Sequence, residues 1–190
     1  MRSMIRRAKI EDCPALYDLL LEIFRDMELP VLEMVPPSDL KELLVESMEE
    51  EESRYSYRNG LVYEENGEIA GCCFGYKGEL EEVLSEPIQA KLAAYGLAPE
   101  IAFYPDRETE EGEWYLDSLI THPSHRRKGI AKKLIQALPP FVKEQGETVI
   151  GLNCEQDNKR ARALYEQLSF VRVGNRVLAG HSYNHMQKRI

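Results

Sequence analysis

The sequence has few features of a secreted, membrane-spanning or nucleic-acid-binding protein. Its four cysteines show no C-x-x-C spacing, and 190 residues can bury a core without disulfide bonds. No apolar run approaches the ~20 residues that cross a bilayer, and the first ten residues lack the apolar stretch of a secretory signal. A formal net charge of −9 provides no basic excess for binding nucleic acid. We therefore expect a cytoplasmic protein with reduced, buried cysteines and no membrane or nucleic-acid partner.

The charge that is present is unevenly distributed along the chain. Residues 1–112 carry 26 acidic and 11 basic side chains, a net −15, whereas residues 113–190 carry 7 acidic and 13 basic side chains, a net +6. The composition, 43% hydrophobic and 30% charged, is typical of a globular protein. We expect one domain over residues 1–190, with a basic C-terminal part suited to an anionic ligand.

The spacing of apolar residues predicts a mixed α/β fold. Residues 77–112 are acidic and rich in turn formers, and we interpret them as an insertion between strands, with a lid as one role. Pro139 and Pro140 are expected to kink or restart the helix that contains them. In chain order the predicted elements are a strand at 4–8, a helix from residue 13, a helix capped by Ser38, strands at 57–64 and 68–76 around an Asn66-Gly67 turn, a helix at 79–97 interrupted by Pro87, a strand at 114–121, a helix at 127–138, a strand at 148–154, a helix at 158–168, and strands at 170–173 and 183–188.

The most informative segment is LITHPSHRRKGIA, residues 119–131. Here a strand ends, turns through Pro123 and leads into a helix. The N-terminus of a helix offers free N–H donors and the positive end of its dipole, and successive loop amides can form an anion-binding nest. Gly129 and Ala131 keep side chains short there, and five basic residues surround the turn: Arg126, Arg127, Lys128, Lys132 and Lys133. This arrangement suits a pyrophosphate, although it is neither a Walker loop nor a Rossmann fingerprint.

The pattern Arg126-x-x-Gly129-x-Ala131 resembles the acetyl-CoA pyrophosphate motif of the GCN5-related N-acetyltransferase (GNAT) family. Downstream, the segment from Asn158 through Ala163-Leu164-Tyr165 to Phe170 resembles the second motif of that family, with Ser169 where glycine is usual. The resemblance covers most of the chain except residues 77–112. It implies a GNAT-like acyl-CoA N-acyltransferase fold, in which helices flank a mixed central β-sheet and two strands splay at the cofactor site.

The resemblance also implies where acetyl-CoA binds. The pantetheine arm would lie between the strands at 114–121 and 148–154, paired with the main chain of Leu119 and Thr121. An amide near Leu119 would donate to the thioester oxygen, and Asn158 would contact the arm. The implied cofactor-binding residues are Leu119, Ile120, Thr121, Arg126, Arg127, Lys128, Gly129, Ile130, Ala131, Lys132 and Asn158.

By the same resemblance, Tyr165 is the general acid for the departing CoA thiolate. A phenol with a pKa near ~10 is a weaker acid than a thiol with a pKa near ~8.5, so a hydrogen bond to the thiolate is an alternative to full proton transfer. A purely structural alternative is that Tyr165 packs on the apolar face of its helix. Both interpretations stay open at the level of the sequence.

The acceptor amine needs a base because it is mostly protonated at neutral pH. Asp117 and Glu113 are candidates on the strand at 114–121, and Glu155 follows the neighbouring strand. Asp117 and Glu113 face the same way on a regular strand, unless a bulge intervenes. Asp117 can equally be a hydrogen-bonded structural carboxylate. In several relatives a glutamate occupies the position of Asn153, which cannot act as a base.

These patterns predict an acetyl-CoA-dependent N-acetyltransferase that uses direct attack of an amine on the thioester. His181 and His185 lack a third ligand, so we expect no metal. The acidic N-terminal part favours a cationic acceptor, such as a polyamine or a basic amino compound, and the resemblance allows a homodimer. The alternatives are a non-catalytic CoA-binding regulatory or sensor domain and, against the net charge, a nucleic-acid module that uses the basic segment at 126–133.

Overall fold

The computed structural model describes residues 2–98 and 106–190, and seven strands in these ranges form one mixed sheet. The strand order is β1-β2-β3-β4-β5-β7-β6, in which β4 and β5 are parallel and the other neighbours are antiparallel. The strands are β1 (Ser3–Arg7), β2 (Gly60–Glu65), β3 (Glu68–Lys77), β4 (Trp114–Thr121), β5 (Val149–Glu155), β6 (Val171–Leu178) and β7 (His181–Arg189).

Helices cover both faces of the sheet. The helices are α1 (Cys13–Asp26), α2 (Val31–Met34), α3 (Pro37–Glu49), α4 (Glu81–Ala93), α5 (Ile130–Glu144) and α6 (Lys159–Gln167). One core cluster joins α1 and α3 to Val62, Phe74 and Ile120 of the sheet, and the other joins α5 to Trp114 and Leu152. Two cores form because successive residues of a strand point to opposite faces. No helix among the described residues is long and apolar enough to span a membrane.

The turn between β2 and β3 follows the sequence prediction. Asn66 and Gly67 have φ angles of 55° and 87°, the positive values that both central residues of a type I′ hairpin turn require. The strands themselves differ at their ends from the prediction. Residues Tyr57–Asn59 form a 3₁₀ turn before β2, and β6 continues to Leu178 rather than ending at residue 173.

The start of α3 corrects another prediction. The helix begins at Pro37, and Ser38 lies in its first turn with the hydroxyl donating to Asp39 at 3.0 Å, so Ser38 is not the cap. Proline suits this position because the first-turn N–H has no intrahelical partner. The short helix α2 was not predicted, because four residues are too few to show a helical period.

Pro139 and Pro140 were predicted to kink or restart their helix, and the structure contradicts the restart, because one helix, α5, continues through both. It runs unbroken through Pro139 and Pro140, which cost it the bonds to the carbonyls of Ile135 and Gln136. Its buried face continues past the prolines with Phe141 and Val142, and this packing outweighs the lost bonds. The helix also starts three residues later than predicted, at residue 130.

Residues 77–112 connect β3 and β4, which are antiparallel neighbours in the sheet. Within this segment Ile88 and Leu92 of α4 join the core under α1 and α3. The helix predicted at 79–97 is α4, and Pro87 lies inside it. Residues 99–105 lie outside the described residues. The interpretation of 77–112 as an insertion, and of the whole chain as one domain, stays a prediction.

Candidate active site

The parallel strands β4 and β5 separate after two residue pairs. Only Trp114 with Ile150 and Tyr115 with Gly151 are in register, and beyond them the strands diverge. The opening contains a cavity of about 260 Å³. Its lining combines residues at or near α1, β4, β5 and α6 with Glu108, the end of β6 and one residue of β7: Ile23, Met27, Glu108, Tyr115, Leu116, Asp117, Leu119, Leu152, Asn153, Cys154, Glu155, Asn158, Ala161, Tyr165, Leu178 and Tyr183.

The open edge of β4 presents main-chain groups to this cavity. The N–H of His122 donates to the carbonyl of Ala70 on β3 at 2.9 Å. Because main-chain groups alternate between the two sides of a strand, those of Ile120 also face β3, while those of Leu119 and Thr121 face the opening. The side chain of Ile120 is buried in the core under α1. Ile120 is therefore a core residue, and its predicted place among the cofactor-binding residues is corrected.

The loop that follows β4 leads into an uncapped helix. Arg127 and Gly129 have φ angles of 67° and 75°, and no side chain caps α5. The N–H of Lys133 donates a hydrogen bond to the carbonyl of Gly129 at 3.1 Å, and it is the first N–H of the helix to bond back to the loop. The N–H groups of Ile130, Ala131 and Lys132 precede it, and first-turn groups of this kind have no partner within a helix. The loop and the helix start are thus a cradle for an anion.

The basic side chains around this cradle are not equivalent. The ammonium of Lys128 lies 3.2 Å from the Oε2 atom of Glu65, and Nδ1 of His125 lies 3.0 Å from the same oxygen. The hydrogen bond from Lys128 holds the pKa of the Glu65 carboxyl below its usual value. Arg126 and Arg127 are exposed beside the first turn of α5. The arginines are therefore the cations best placed for phosphates, and Lys128 anchors the loop to β2.

The residues of the second motif line the cavity from α6. The side-chain oxygen of Asn158 accepts a hydrogen bond from the N–H of Ala161 at 3.0 Å and so caps the helix. Tyr165 packs edge-on against Phe170, with ring centroids 5.9 Å apart. Burial raises the pKa of the Tyr165 phenol, which therefore keeps its proton at neutral pH. Tyr165 both packs on its helix face and borders the cavity, so its position is compatible with either sequence interpretation, and its role as an acid stays a prediction.

Asp117 borders the cavity but its oxygens are occupied. Oδ2 accepts hydrogen bonds from Nε of Arg54 at 2.7 Å and from the hydroxyl of Tyr76 at 2.9 Å. Oδ1 accepts from the hydroxyl of Ser118 at 2.9 Å. Asp117 lies at a β-bulge, because Phe74 pairs with Ser118 while the next residue of β3 pairs with Leu116. These contacts favour the structural role for Asp117.

Glu113 does not border the cavity, which corrects its prediction as a base. The side chain is fully buried, and its Oε2 atom lies 2.9 Å from Nε2 of His185 and accepts from Gln187 at 2.7 Å. Oε1 accepts from the N–H of Glu110 at 2.9 Å. Burial acts to raise the pKa of Glu113, but the hydrogen bonds and the charge of His185 outweigh it, so the pKa is lowered. These buried donors occupy both oxygens of the carboxylate.

Two residues at this site were missed from the sequence. Arg54, 1% exposed, forms ion pairs with Asp117 and with Glu108, and Glu108 borders the cavity. A smaller pocket of about 60 Å³ adjoins the cavity and shares Glu108 and Asp117 with it. Arg54 follows a run of glutamates and Glu108 lies in an acidic turn, so neither belongs to a recognisable motif. Their pairing across 54 positions has no local signal. No group of three metal-ligating side chains occurs in the part of the chain that the structure describes.

The chain matches the family model of the acetyltransferase (GNAT) family over residues 14–170, and it therefore belongs to that family. The predicted fold, a mixed sheet flanked by helices, is confirmed.

Individual relatives agree with this assignment. A crystal structure of an acetyltransferase is 41% identical, with 98% of this chain and 99% of that chain covered and a TM-score of 0.88. An N-acetyltransferase from Staphylococcus aureus Mu50 is 27% identical, with 97% and 100% covered and a TM-score of 0.84. The chloroplastic GCN5-related N-acetyltransferase 4 of Arabidopsis thaliana is 36% identical over 66 residues, 35% of this chain and 23% of that protein. The chain thus spans about a quarter of the length of that curated relative.

Proposed function

We propose that this protein transfers the acetyl group of acetyl-CoA to an amine acceptor by direct attack of the amine. The observation that carries the proposal is the cavity between β4 and β5, which is lined by Leu119 near the end of β4, the strand whose following loop leads into the uncapped start of α5. A cavity at one end of this segment and an anion cradle at the other suit a ligand with an anionic end and a narrow uncharged arm. Family membership supports acetyl transfer as the reaction.

The residues at the site fit acetyl-CoA. First-turn amides of α5, with Arg126 and Arg127 beside them, would hold the phosphates. The main-chain groups of Leu119 and Thr121 would pair with the pantetheine arm, as an added strand does at an open sheet edge. Asn158 lies at the same cavity. Acetyl-CoA supplies an acetyl group activated as a thioester, which the amine attacks.

Tyr165 is proposed to donate a hydrogen bond to the departing sulfur. Its raised pKa keeps the phenol protonated and therefore available as a donor. At reference pKa values, transfer of a proton from a phenol to a thiolate is uphill by about 2 kcal/mol, and the raised pKa of Tyr165 makes it more so. Stabilisation of the thiolate by the hydrogen bond is thus its main contribution.

The acceptor is proposed to be a cationic amine. Among the described residues, the smaller pocket is lined by the carboxylates of Asp106, Glu108 and Asp117 and by one cation, Arg54, and it shares Glu108 and Asp117 with the cavity. A concave surface of negative charge concentrates cations and speeds their association. Polyamines, aminoglycosides and basic amino compounds share this chemistry.

The test measures acetyl-CoA binding by calorimetry and thiol release with spermidine, kanamycin, lysine and glutamate as acceptors. We expect binding, with turnover of at least one cationic amine. Tyr165→Phe should lower kcat about 100-fold while the Kd for acetyl-CoA stays within about threefold, since the lost group acts on the leaving sulfur. Tyr95→Phe, an exposed tyrosine beyond α4, is the matched control.

Other results would point elsewhere. Binding of acetyl-CoA without thiol release from any amine would identify a CoA-binding regulatory or sensor domain. Turnover of glutamate alone would contradict the cationic acceptor, and an unchanged rate for Tyr165→Phe would contradict the role of Tyr165.

A further inference from the structure

The segment before β4, residues 106–110, forms no helix or strand, yet buried groups hold it in place. The N–H groups of Glu108 and Thr109 donate to the carboxylate of Glu81 at 3.0 and 3.1 Å. The side-chain amide of Asn153 on β5 donates to the carbonyl of Glu108 at 2.9 Å. The backbone of Glu108 is therefore fixed from two sides, by α4 and by β5.

Asn153 is in turn oriented by a buried chain of polar side chains. Its Oδ1 atom lies 2.6 Å from Nδ1 of His185, whose Nε2 lies 2.9 Å from the carboxylate of Glu113. The other donor contact of the Asn153 amide is the hydroxyl of Tyr115, at 3.2 Å. Because His185 is 2% exposed and Glu113 is fully buried, the surrounding core holds this series of polar side chains in place. Glu113 thus lies at the far end of a buried series of hydrogen bonds that runs through His185 and Asn153 to the backbone of Glu108.

The side chain of Glu108 lies where the two cavities meet. It borders both the opening between β4 and β5 and the smaller pocket beside it. Among the described residues, the structure records a hydrogen-bond partner for its Oε2 atom only, the Nη2 group of Arg54. The carboxylate therefore keeps an oxygen for a ligand at the junction.

The other carboxylates at the cavity are less suited to accept a proton. Asp117 receives three hydrogen bonds on its two oxygens, as described above. Glu155 lies at the end of β5, pairs with Nδ1 of His181 at 3.3 Å and does not border the smaller pocket. Glu108 is the carboxylate that is both fixed by its backbone and open at the junction.

The charge around Arg54 also favours a cation beside Glu108. Nη1 of Arg54 lies 3.8 Å from Glu81, Nε lies 2.7 Å from Asp117, and Nη2 contacts Glu108. One guanidinium balances one of these three carboxylates and leaves two negative charges. An ammonium group that enters the junction balances one of the two, in a half-buried setting where charges interact more strongly than in water.

We propose that Glu108 is the catalytic base, which takes a proton from the acceptor nitrogen; this inference rests on the proposed function. An ammonium acceptor loses two protons in the overall reaction. A C–N bond forms to the acetyl carbon and the C–S bond breaks, with its electron pair leaving on sulfur. One proton ends on that sulfur as the CoA thiol, and the other passes to Glu108 and then to solvent. Arg54 orients the carboxylate but does not exchange protons.

The test compares the wild-type protein with Glu108→Gln, using the fastest acceptor among spermidine, kanamycin and lysine. We expect kcat to fall by about 100-fold or more, with the Kd for acetyl-CoA within about threefold. The residual rate of Glu108→Gln should rise about tenfold per pH unit through neutrality, because the free amine must then come from solution. Glu33→Gln, an exposed carboxylate that borders neither the cavity nor the smaller pocket, is the control with unchanged kcat.

Two further variants separate a chemical role from a structural one. Glu108→Asp keeps the charge beside Arg54, so it tests the role even where Glu108→Gln fails to fold; its kcat should fall because the shorter side chain withdraws the carboxylate. In Glu108→Ala, added formate should restore part of the rate. A kcat for Glu108→Gln or Glu108→Asp within about threefold of the wild type would overturn the proposal. A wild-type protein that binds acetyl-CoA but acetylates no amine would instead overturn the proposed function.

Discussion

Ser169 takes the left-handed backbone conformation at the turn between α6 and β6. Its φ angle is 72°, at the position where relatives usually carry glycine. A residue with a Cβ atom is strained there by about 1 kcal/mol or more, whereas glycine is not. The serine at this motif position therefore lowers the stability of the folded protein. The chain still turns at Ser169, and β6 begins at Val171.

Replacement of Ser169 by glycine should stabilise the protein. We expect the free energy of unfolding to rise by about 1 kcal/mol, somewhat reduced by the extra freedom of glycine in the unfolded chain. Urea denaturation of the wild type and of Ser169→Gly measures the change. Ser169→Ala keeps the Cβ atom and should give no such gain. A lower urea midpoint for Ser169→Gly would show that the serine hydroxyl, rather than the backbone, determines stability at this turn.

At the scale of single elements, two strand glycines differ in the space around them. A Cβ atom on Gly151 of β5 would lie 1.9 Å from Oε2 of Glu113, the oxygen that faces His185. The same atom on Gly174 of β6 would meet nothing within 4 Å. Neither glycine has a positive φ angle, so a difference in stability between the two alanine variants reports the space around the added Cβ atom and not backbone strain.

Gly151→Ala should therefore cost several kcal/mol of unfolding free energy, because the methyl group displaces a buried charged side chain from its partners. Gly174→Ala should change it by less than about 1 kcal/mol. Thermal and urea unfolding measure both. If the cost for Gly151→Ala were as small as that for Gly174→Ala, the buried contact of Glu113 with His185 would be unimportant for the fold.

The elements also show which features the sequence could predict. β4 was predicted with its observed ends, because an apolar run lies between Gly112 and Pro123, both strong local signals. The two prolines of α5 gave an equally strong local signal for a break, yet the helix continues, because its buried face packs on the sheet. Local rules fail where tertiary packing contributes more free energy than the local preference.

The same distinction applies to the candidate site. The anion cradle is one continuous segment, so its residues could be recognised from spacing alone. Arg54 and Glu108 belong to separate segments that meet at Asp117 only after β3 and β4 pair. No period or motif relates these positions. The proposed acetyl-CoA side of the site could therefore be predicted as a segment from the sequence, whereas the proposed acceptor side required the fold.

At the scale of the whole molecule, the two oppositely charged parts of the sequence contribute separate clusters of charge, although residues of both line the cavity. Residues of the basic part form the anion cradle at the start of α5. The acidic part contributes a further cleft of about 390 Å³ beside Arg54, which also contains Arg107. Its acidic lining residues are Glu79, Glu81, Glu82, Asp106 and Glu111. The carboxylates of this cleft continue the negative charge from the junction at Glu108, the proposed acceptor site, towards the protein surface.

A field of this kind should make the reaction with a cationic acceptor depend on salt. At saturating acetyl-CoA, kcat/KM for spermidine should fall about tenfold as ionic strength rises from ~20 to ~500 mM, because the screening length shrinks from roughly 20 Å to a few ångströms. O-methylhydroxylamine, an amine that is uncharged at neutral pH, should show little change. Because acetyl-CoA is saturating, the salt dependence of acetyl-CoA binding does not contribute to the measured kcat/KM of the acceptor.

A variant connects this salt dependence to the acidic cleft rather than to the net charge. The double replacement Glu79→Gln and Glu82→Gln removes two charges from the cleft, and neither residue lines the cavity or the smaller pocket that Glu108 borders. It should flatten the salt dependence with spermidine while kcat stays unchanged, because steering acts on association and not on the chemical step. The matched control, Glu33→Gln and Glu68→Gln, removes the same charge from two positions outside the cleft. Equal flattening by both pairs would mean that spermidine responds to the total charge of the protein, and the cleft would then have no special part in acceptor recognition.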